Sequence, residues 1–507
     1  MKKAILALAL AVGALAASAQ TQQTLEQATD SVRQIYVRAQ QGVAADQNEV
    51  GGWYYRGRHV PQNYETALQW WSRAAQQGNA LAIGNMGLCY QTGHGILADS
   101  TRAVQLYDRS LRAGNPSLFQ SLENQANRGN LFAATYMAHC YKDGIGTRRN
   151  ADKQMEYLAI AADRGSVSSR TQLGLMYYNK RDYVQAFNNF SMAANHGDVN
   201  ATYFTGLLLL EGKGVGQNAN EGVTYLMRAE RRGHANAIYR LGLCYLNGTG
   251  VVASAEQAAK YFARAAGRGL SVAQWALAEC YLKGTGVEKS YDQATYYFSR
   301  TLAAAGGNTK FSKYAADSIP GTPYDLYLKG RKALEDRNYE AAKDMFKQLA
   351  RTDRTEGEFW QAMVMMAPGN PAANLSKAVK TLKKCAQTNN AAKCELAECY
   401  LSGNGVDRDN ARAIELYTEA AEAGYGPAEC ALGDLYYEGR GLNRNYDKAV
   451  SLYRSAAESG QLTETAATRL AECYREGLGG LTPDAEKADK LREGNYQNLI
   501  PALLALI

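Results

Sequence analysis

The sequence predicts an all-α protein, an α/α superhelical solenoid of about twelve helix-pair repeats. Three observations predict it: a unit of 36 residues that recurs along the chain, apolar residues at helical spacing inside each unit, and glycines that stop the first helix at a fixed place. The segments "RLGLCYLNGTGVV" from Arg240, "ALAECYLKGTGVE" from Ala276 and "ELAECYLSGNGVD" from Glu395 lay directly over one another. Each is followed by an alanine-rich amphipathic stretch ending in Ala-Ala-x-x-Gly or a variant of it.

The small residue before x-Cys-Tyr serves as a ruler mark. Marks fall at Gly51, Gly87, Ala138, Gly174, Gly206, Gly242, Ala278, Gly330, Ala362, Ala397, Gly433 and Ala471. The commonest step is 36 residues, with one of 35 and one of 38; two are 32, where the glycine-rich loop is shortened, and two, of 51 and 52, hold an insertion. In one unit, helix A places Ile238, Leu241 and Tyr245 on one face and stops at Gly248-x-Gly250, where the chain turns through a left-handed conformation. Helix B then runs through Ala258, Tyr261 and Phe262 to Ala265-Ala266, and the small residues let helix axes approach closely. One pair cannot bury its own apolar face, so neighbours stack.

Taken in order, residues 1–19 read as a cleavable signal peptide. Lys2 and Lys3 form the basic start, Ala4 to Ala16 the short apolar core, and Ala17-Ser18-Ala19 the cleavage pattern. The chain is therefore expected in the periplasm or outside the cell. Residues 20–43 read as a capping helix and 44–307 as a first block of seven repeats, with an extra helix near 115–129. Residues 308–323, with two prolines and no clear period, read as a linker, 324–490 as a second block of five repeats, and 491–507 as an apolar tail. No stretch after the signal is long and apolar enough to span a membrane.

The pattern x-Leu-Gly-x-x-Tyr-x-x-Gly-x-Gly-Val, then Ala-x-x-Tyr/Trp, then Ala-Ala-x-x-Gly, resembles the Sel1-like repeat (SLR), a sister of the tetratricopeptide repeat. Residues 199–306 and 391–461 carry it closely and 44–198 with more drift, while "LGLMYYNKRDYVQAF" and "KGRKALEDRNYEAAK" are more similar to tetratricopeptide units. The resemblance implies a superhelix with a scaffold or adaptor role. Its cysteine-rich secreted branch implies a bridge between Cys385, ending one helix B, and Cys394, opening the next helix A, although the spacing here is a residue longer.

Charge and motif content narrow the function further. The net charge of +7 falls to +5 without Lys2 and Lys3, and the basic clusters are no longer than Arg148-Arg149 and Arg231-Arg232, so nucleic acid is not an expected partner. Gly212-Lys213-Gly214-x-Gly216 lacks the strand and the Lys-Ser/Thr of a phosphate loop. Cys89, Cys140, Cys244, Cys280, Cys399 and Cys473 all stand two residues past a mark. Equivalent positions in stacked repeats lie too far apart for a disulfide, so these cysteines read as small buried apolar residues. The chain holds no Cys-x-x-Cys, Ser-x-x-Lys, Lys-Thr-Gly, Gly-x-Ser-x-Gly or His-Glu-x-x-His, and no catalytic, cofactor or metal site is expected. The nine tyrosines three past a mark, among them Tyr141, Tyr245 and Tyr281, read as packing residues.

The expected function is a non-catalytic scaffold that holds a protein or peptide partner in its concave groove. The alternatives are a cell-envelope enzyme, in line with the β-lactamase-like description of some relatives, and a peptidoglycan- or glycan-binding module. In tetratricopeptide-like helices the positions three before, one after and four after the mark face the groove. Here those registers hold Tyr178, Tyr203, Leu207, Tyr239, Leu243, Trp275, Leu282, Tyr327, Phe359 and Met363, an apolar strip of the kind that anchors peptide ligands. The alternative for this strip is burial between neighbouring A helices.

Overall fold

The computed structural model describes residues 29–304, 319–458 and 461–492. Among these residues there are 26 helices and no strand, and the fold is an all-α solenoid of helix pairs. The expected signal peptide of residues 1–19, the start of the expected capping helix at 20–28, most of the linker at 308–318 and nearly all of the tail at 493–507 lie outside the described residues. The pairs run from Ala44–Arg56 with Tyr64–Gln76 to Glu464–Glu476 with Ala485–Arg492. A further helix, Asp30–Gln40, packs on the first pair, and Pro116–Asn127 lies between the second and third pairs.

The small residue at the mark has a specific cause. A Cβ on Gly242 would stand 2.5 Å from the Phe262 ring, and one on Gly433 would stand 2.5 Å from the Tyr453 ring. In the two short repeats the rings are Phe190 against Gly174 and Phe346 against Gly330, four positions nearer in sequence because the loop is four residues shorter. Each ring is essentially fully buried and contributes about 1.5–3 kcal/mol relative to exposure. The six cysteines two past a mark are buried as well, and burial pushes the Cys89 and Cys140 thiols up to about 12.

The tyrosine three past the mark does two things. Its backbone carbonyl accepts the N–H of the residue capping helix B, as Tyr245 does from Ser254 at 2.8 Å and Tyr400 from Asp409 at 3.0 Å. The side chains of those caps accept in turn from the amides of Gln257 and Arg412, satisfying donors that helix B cannot. The tyrosine ring stacks on a ring of helix B, Tyr141 on Tyr157, Tyr245 on Tyr261 and Tyr281 on Tyr297, at centroid distances of 5.3–5.8 Å.

The glycine pair divides its work. The first, such as Gly248 at φ 68°, takes the left-handed cap that ends helix A. The second joins neighbours: a Cβ on Gly286 would overlap the Ala255 carbonyl, in helix B of the preceding repeat. In the short repeats Arg181 and Arg337 occupy the turn with φ of 64° and 58°, a conformation that disfavours any side chain.

The described residues form two compact units, one up to Ala201 and one from Thr202, and the boundary falls inside the helix Val199–Glu211. This boundary does not coincide with the linker expected at 308–323. In the first unit, the buried apolar residues form separate clusters over 39–89 and 107–173. In the second, a single cluster runs from Ile238 to Leu435, and a smaller one follows it over 430–473.

Candidate binding cleft

Side chains decide how much of the predicted apolar strip faces solvent. Tyr203, Leu207, Trp275, Tyr327 and Phe359 are buried, so the expectation that they line an open groove is corrected. The reason is coverage by neighbouring helices. Trp275 packs edge-on against Phe298 at 4.5 Å, Tyr203 stacks on His234 at 4.6 Å, and Tyr327 lies against Trp360 while its hydroxyl donates to Asp292 at 3.0 Å. Tyr178, Tyr239, Leu243, Leu282 and Met363 are half-buried, and Tyr239 leans on Phe262 at 5.7 Å.

The Cys385–Cys394 bridge is also corrected, because both are free thiols. Cys385 Sγ faces the Thr355 carbonyl at 4.0 Å, whereas Cys394 is enclosed near Glu395, Glu288 and Lys393. The two side chains thus serve different interfaces.

What the second unit offers is a cleft of about 890 Å³ that the registers of one helix face do not reveal. It forms because residues far apart in sequence meet. Tyr281 Oη accepts from Gln461 Nε2 at 3.2 Å, across 180 positions. Glu288 Oε1 accepts the Asn390 backbone N–H at 2.9 Å, across 102 positions. The helix Ala255–Gly267 packs on Tyr446–Glu458, and Gly267 comes so close to the Glu458 carbonyl that a Cβ would overlap it. Helix-start geometry supplies part of the wall: Asn389 caps Asn390–Ser402 by accepting from the Ala392 amide at 2.7 Å.

The cleft has an apolar floor and acidic sides. Leu277, Ala259, Ala263 and Val287 line it together with the carboxylates Glu256, Glu288, Glu422, Glu429 and Glu458. Its two cations are already engaged, Lys260 with Glu256 at 2.7 Å and Arg264 with Glu230.

Glu429 stands out. It is only 6% exposed; its Oε1 accepts from Ser455 Oγ at 2.6 Å, and its Oε2 is buried with no hydrogen-bond partner among the described residues. Burial raises its carboxyl above the ordinary range, the Glu458 charge adds to this, and the Ser455 bond opposes it. Much of the Glu288 side chain is open to solvent, yet its carboxylate end is hemmed in at the cleft wall. That desolvation pushes it up to about 7 against the pull of the Asn390 amide and Lys393.

Sequence reading passed over Glu429 because its register is mixed: four before a mark the chain holds Ile83, Ala134, Ile238 and Ala467, but also Gln47, Thr202, Gln274, Glu358 and Lys393. Nothing local marks Gln461 or Glu288, whose partners are set by tertiary packing.

Comparison with known proteins places these units. The Sel1 repeat family model matches residues 44–79, 80–115, 131–166, 169–198, 199–234, 235–270, 271–306, 390–425, 426–461 and 465–488. Among curated proteins, chitin synthase regulatory factor 3 of Schizosaccharomyces pombe is 32% identical over 116 residues, 22% of this chain and 12% of that protein. The ERAD-associated E3 ubiquitin-protein ligase component HRD3B of Arabidopsis thaliana is 34% identical over 113 residues, 21% of this chain and 18% of that one. The matches thus span less than a fifth of either relative. Among solved structures, a protective antigen of uropathogenic Escherichia coli displaying an SLR fold is 23% identical, with 94% of this chain and 96% of that chain covered and a TM-score of 0.36. A Sel1 repeat protein of Oxalobacter formigenes is 27% identical, with 59% and 85% covered and a TM-score of 0.35.

Proposed function

Because this chain belongs to the Sel1 repeat family, whose members typically act as protein-interaction scaffolds or adaptors, we propose that it is an exported, non-catalytic scaffold for a protein or peptide partner. The observation that carries the reading is the cleft of the second unit. Its lining couples an apolar floor to carboxylates and amides held by helix ends, which suits recognition of an extended polar ligand. The basic and apolar start of the chain and its Ala-Ser-Ala motif support export to the periplasm or beyond.

Photocrosslinking in intact native cells tests the reading, with the crosslinker at cleft-rim positions 422 and 458 and, as control, at the exposed position 340. A discrete partner crosslinked from the rim and not from the control is the expected result; no crosslink in any compartment overturns it. For export, the mature N-terminus is expected at Gln20, and an intact Met1 on envelope-fraction protein contradicts it.

One observation favours a hydrolytic reading: Glu288 and Glu429, both held up by burial, share a cleft, and paired carboxyls of unequal environment can do acid–base work. Turnover of muropeptides that is lost in both Glu288→Gln and Glu429→Gln would replace the scaffold reading.

A further inference from the structure

The cleft is short of positive charge. Of its five carboxylates, only Glu256 is ion-paired among the described residues, with Lys260, while Arg264 is committed to Glu230 outside the lining. Glu288, Glu422, Glu429 and Glu458 form no salt bridge among the described residues, and the nearest cation to Glu288, Lys393, is paired to Glu419. For three of them water supplies much of the screening, since Glu288, Glu422 and Glu458 keep exposed surface. Glu429 is different, because its Oε2 is buried and bonded to nothing among the described residues. A buried carboxylate oxygen left without a donor costs more than a buried neutral group, and folded proteins pair such atoms. Ser455 satisfies one oxygen, and the Glu429 side chain forms part of the cleft lining.

The layout selects the kind of donor. No three His, Cys, Asp or Glu side chains among the described residues stand close enough to hold a metal ion, and the five carboxylates come from five separate segments, the helices Ala255–Gly267, Asn410–Glu422, Gly426–Glu438 and Tyr446–Glu458 and the loop at Glu288. A ligand with several separated cations matches that spacing. The floor of Leu277, Ala259, Ala263 and Val287 matches the methylene stem of a long basic side chain, which lies on apolar surface while its head seeks a carboxylate. A guanidinium adds a planar fork of donors that a carboxylate accepts in pairs.

Resting on the scaffold reading above, we propose that the cleft takes an extended segment of the partner carrying arginine or lysine side chains, one of which sets its cationic head against Glu429 with its stem over Leu277 and Ala263. The remaining carboxylates, Glu288, Glu422 and Glu458, then steer and register the other basic residues along the cleft. Affinity falls with added salt because those outer pairs stay in contact with solvent.

The test uses the purified full-length chain and a labelled peptide, Gly-Arg-Gly-Gly-Lys-Gly-Gly-Arg-Gly, followed by fluorescence anisotropy. Its control replaces arginine by citrulline and lysine by norleucine. Saturable binding of the basic peptide is expected, weakened at least about ten-fold by Glu429→Gln or by the neutral peptide, and unchanged by Glu340→Gln, an exposed side chain outside the cleft lining. Should Glu429→Gln fail to fold, the double variant Glu422→Gln/Glu458→Gln, altering only exposed rim side chains, is expected to weaken binding by a similar factor.

Equal binding by a folded Glu429→Gln, or equal binding of the neutral peptide, overturns the proposal. Spermidine competing as tightly as the peptide also overturns it, since the cleft would then read small polycations. A partner crosslink that survives Glu429→Gln removes the cleft assignment and leaves the scaffold reading intact, whereas the absence of any crosslink from the unmodified chain removes the scaffold reading itself.

Discussion

The two units use one repeat to different ends. In residues 29–201 the principal packing joins helices one or two places apart along the chain, and the buried apolar residues break into clusters a few helices long. That is the quasi-one-dimensional behaviour of a solenoid, in which each repeat depends on its neighbours. In residues 202–492 the cluster from Ile238 to Leu435 is continuous, and Tyr281 bonds to Gln461 across several intervening repeats. The same motif therefore builds a serial stack in one unit and, in the other, a turn whose members meet again. The difference lies in a few residues: Gly267 where a backbone passes, Gln461 reaching a tyrosine, and Glu429 buried at the cleft.

This comparison can be broken most strongly at Trp275. Its ring is buried against Phe298, and Trp275→Ala should remove about 3–5 kcal/mol through a cavity in the continuous cluster. Hydrogen exchange should show protection lost throughout the second unit and kept in residues 29–195. Loss of partner capture with unchanged melting would instead return Trp275 to the groove.

Next in size is Gly267→Ala, whose Cβ would overlap the Glu458 carbonyl. Overpacking against backbone should cost about 1–3 kcal/mol and open the cleft. Exchange should rise at Tyr281, Asn390 and Gln461 while each helix pair holds. A variant as protected as the parent at these sites would show that the meeting of distant repeats does not depend on this close approach.

Acidity sharpens the comparison. Glu356 is buried, accepts the Tyr291 amide at 3.3 Å and lies near Asp353 and Asp292, with Lys289 paired to Asp353 at 2.5 Å. Burial above all pushes its carboxyl up to about 8. A carboxyl whose folded value exceeds its unfolded value of about 4.3 gives its full stability below that lower value, and loses it as pH rises through the upper one. Melting temperature should fall between about pH 5 and pH 8. Glu356→Gln, which keeps the acceptor for Tyr291, should flatten that slope; an unchanged slope would place its origin elsewhere.

The smallest effect belongs to the short repeat of the first unit. Arg181→Gly relieves a left-handed residue and should stabilise by about 1 kcal/mol or less, raising the melting temperature by a few degrees. No gain would mean that the Arg181 side chain holds the turn.

Much of this was legible in the sequence because the causes are local. The helix pairs follow from apolar spacing, their ends from Gly248 and Ser254, and the small mark from a ring twenty positions on in the long units and sixteen in the short ones. Each cause acts within a repeat or between neighbours, where sequence distance and spatial distance agree. Exposure of the strip is another matter. Tyr239 and Trp275 occupy the same register, yet one is half-buried and the other buried, because the next helix covers them unequally. Nor does the spacing of Cys385 and Cys394 say which way their thiols turn. The cleft itself belongs to tertiary structure alone. Small rotations between successive repeats accumulate until Ala255–Gly267 meets Tyr446–Glu458, and only that sum brings Glu429, one oxygen satisfied and the other buried, into the lining of an acidic cleft.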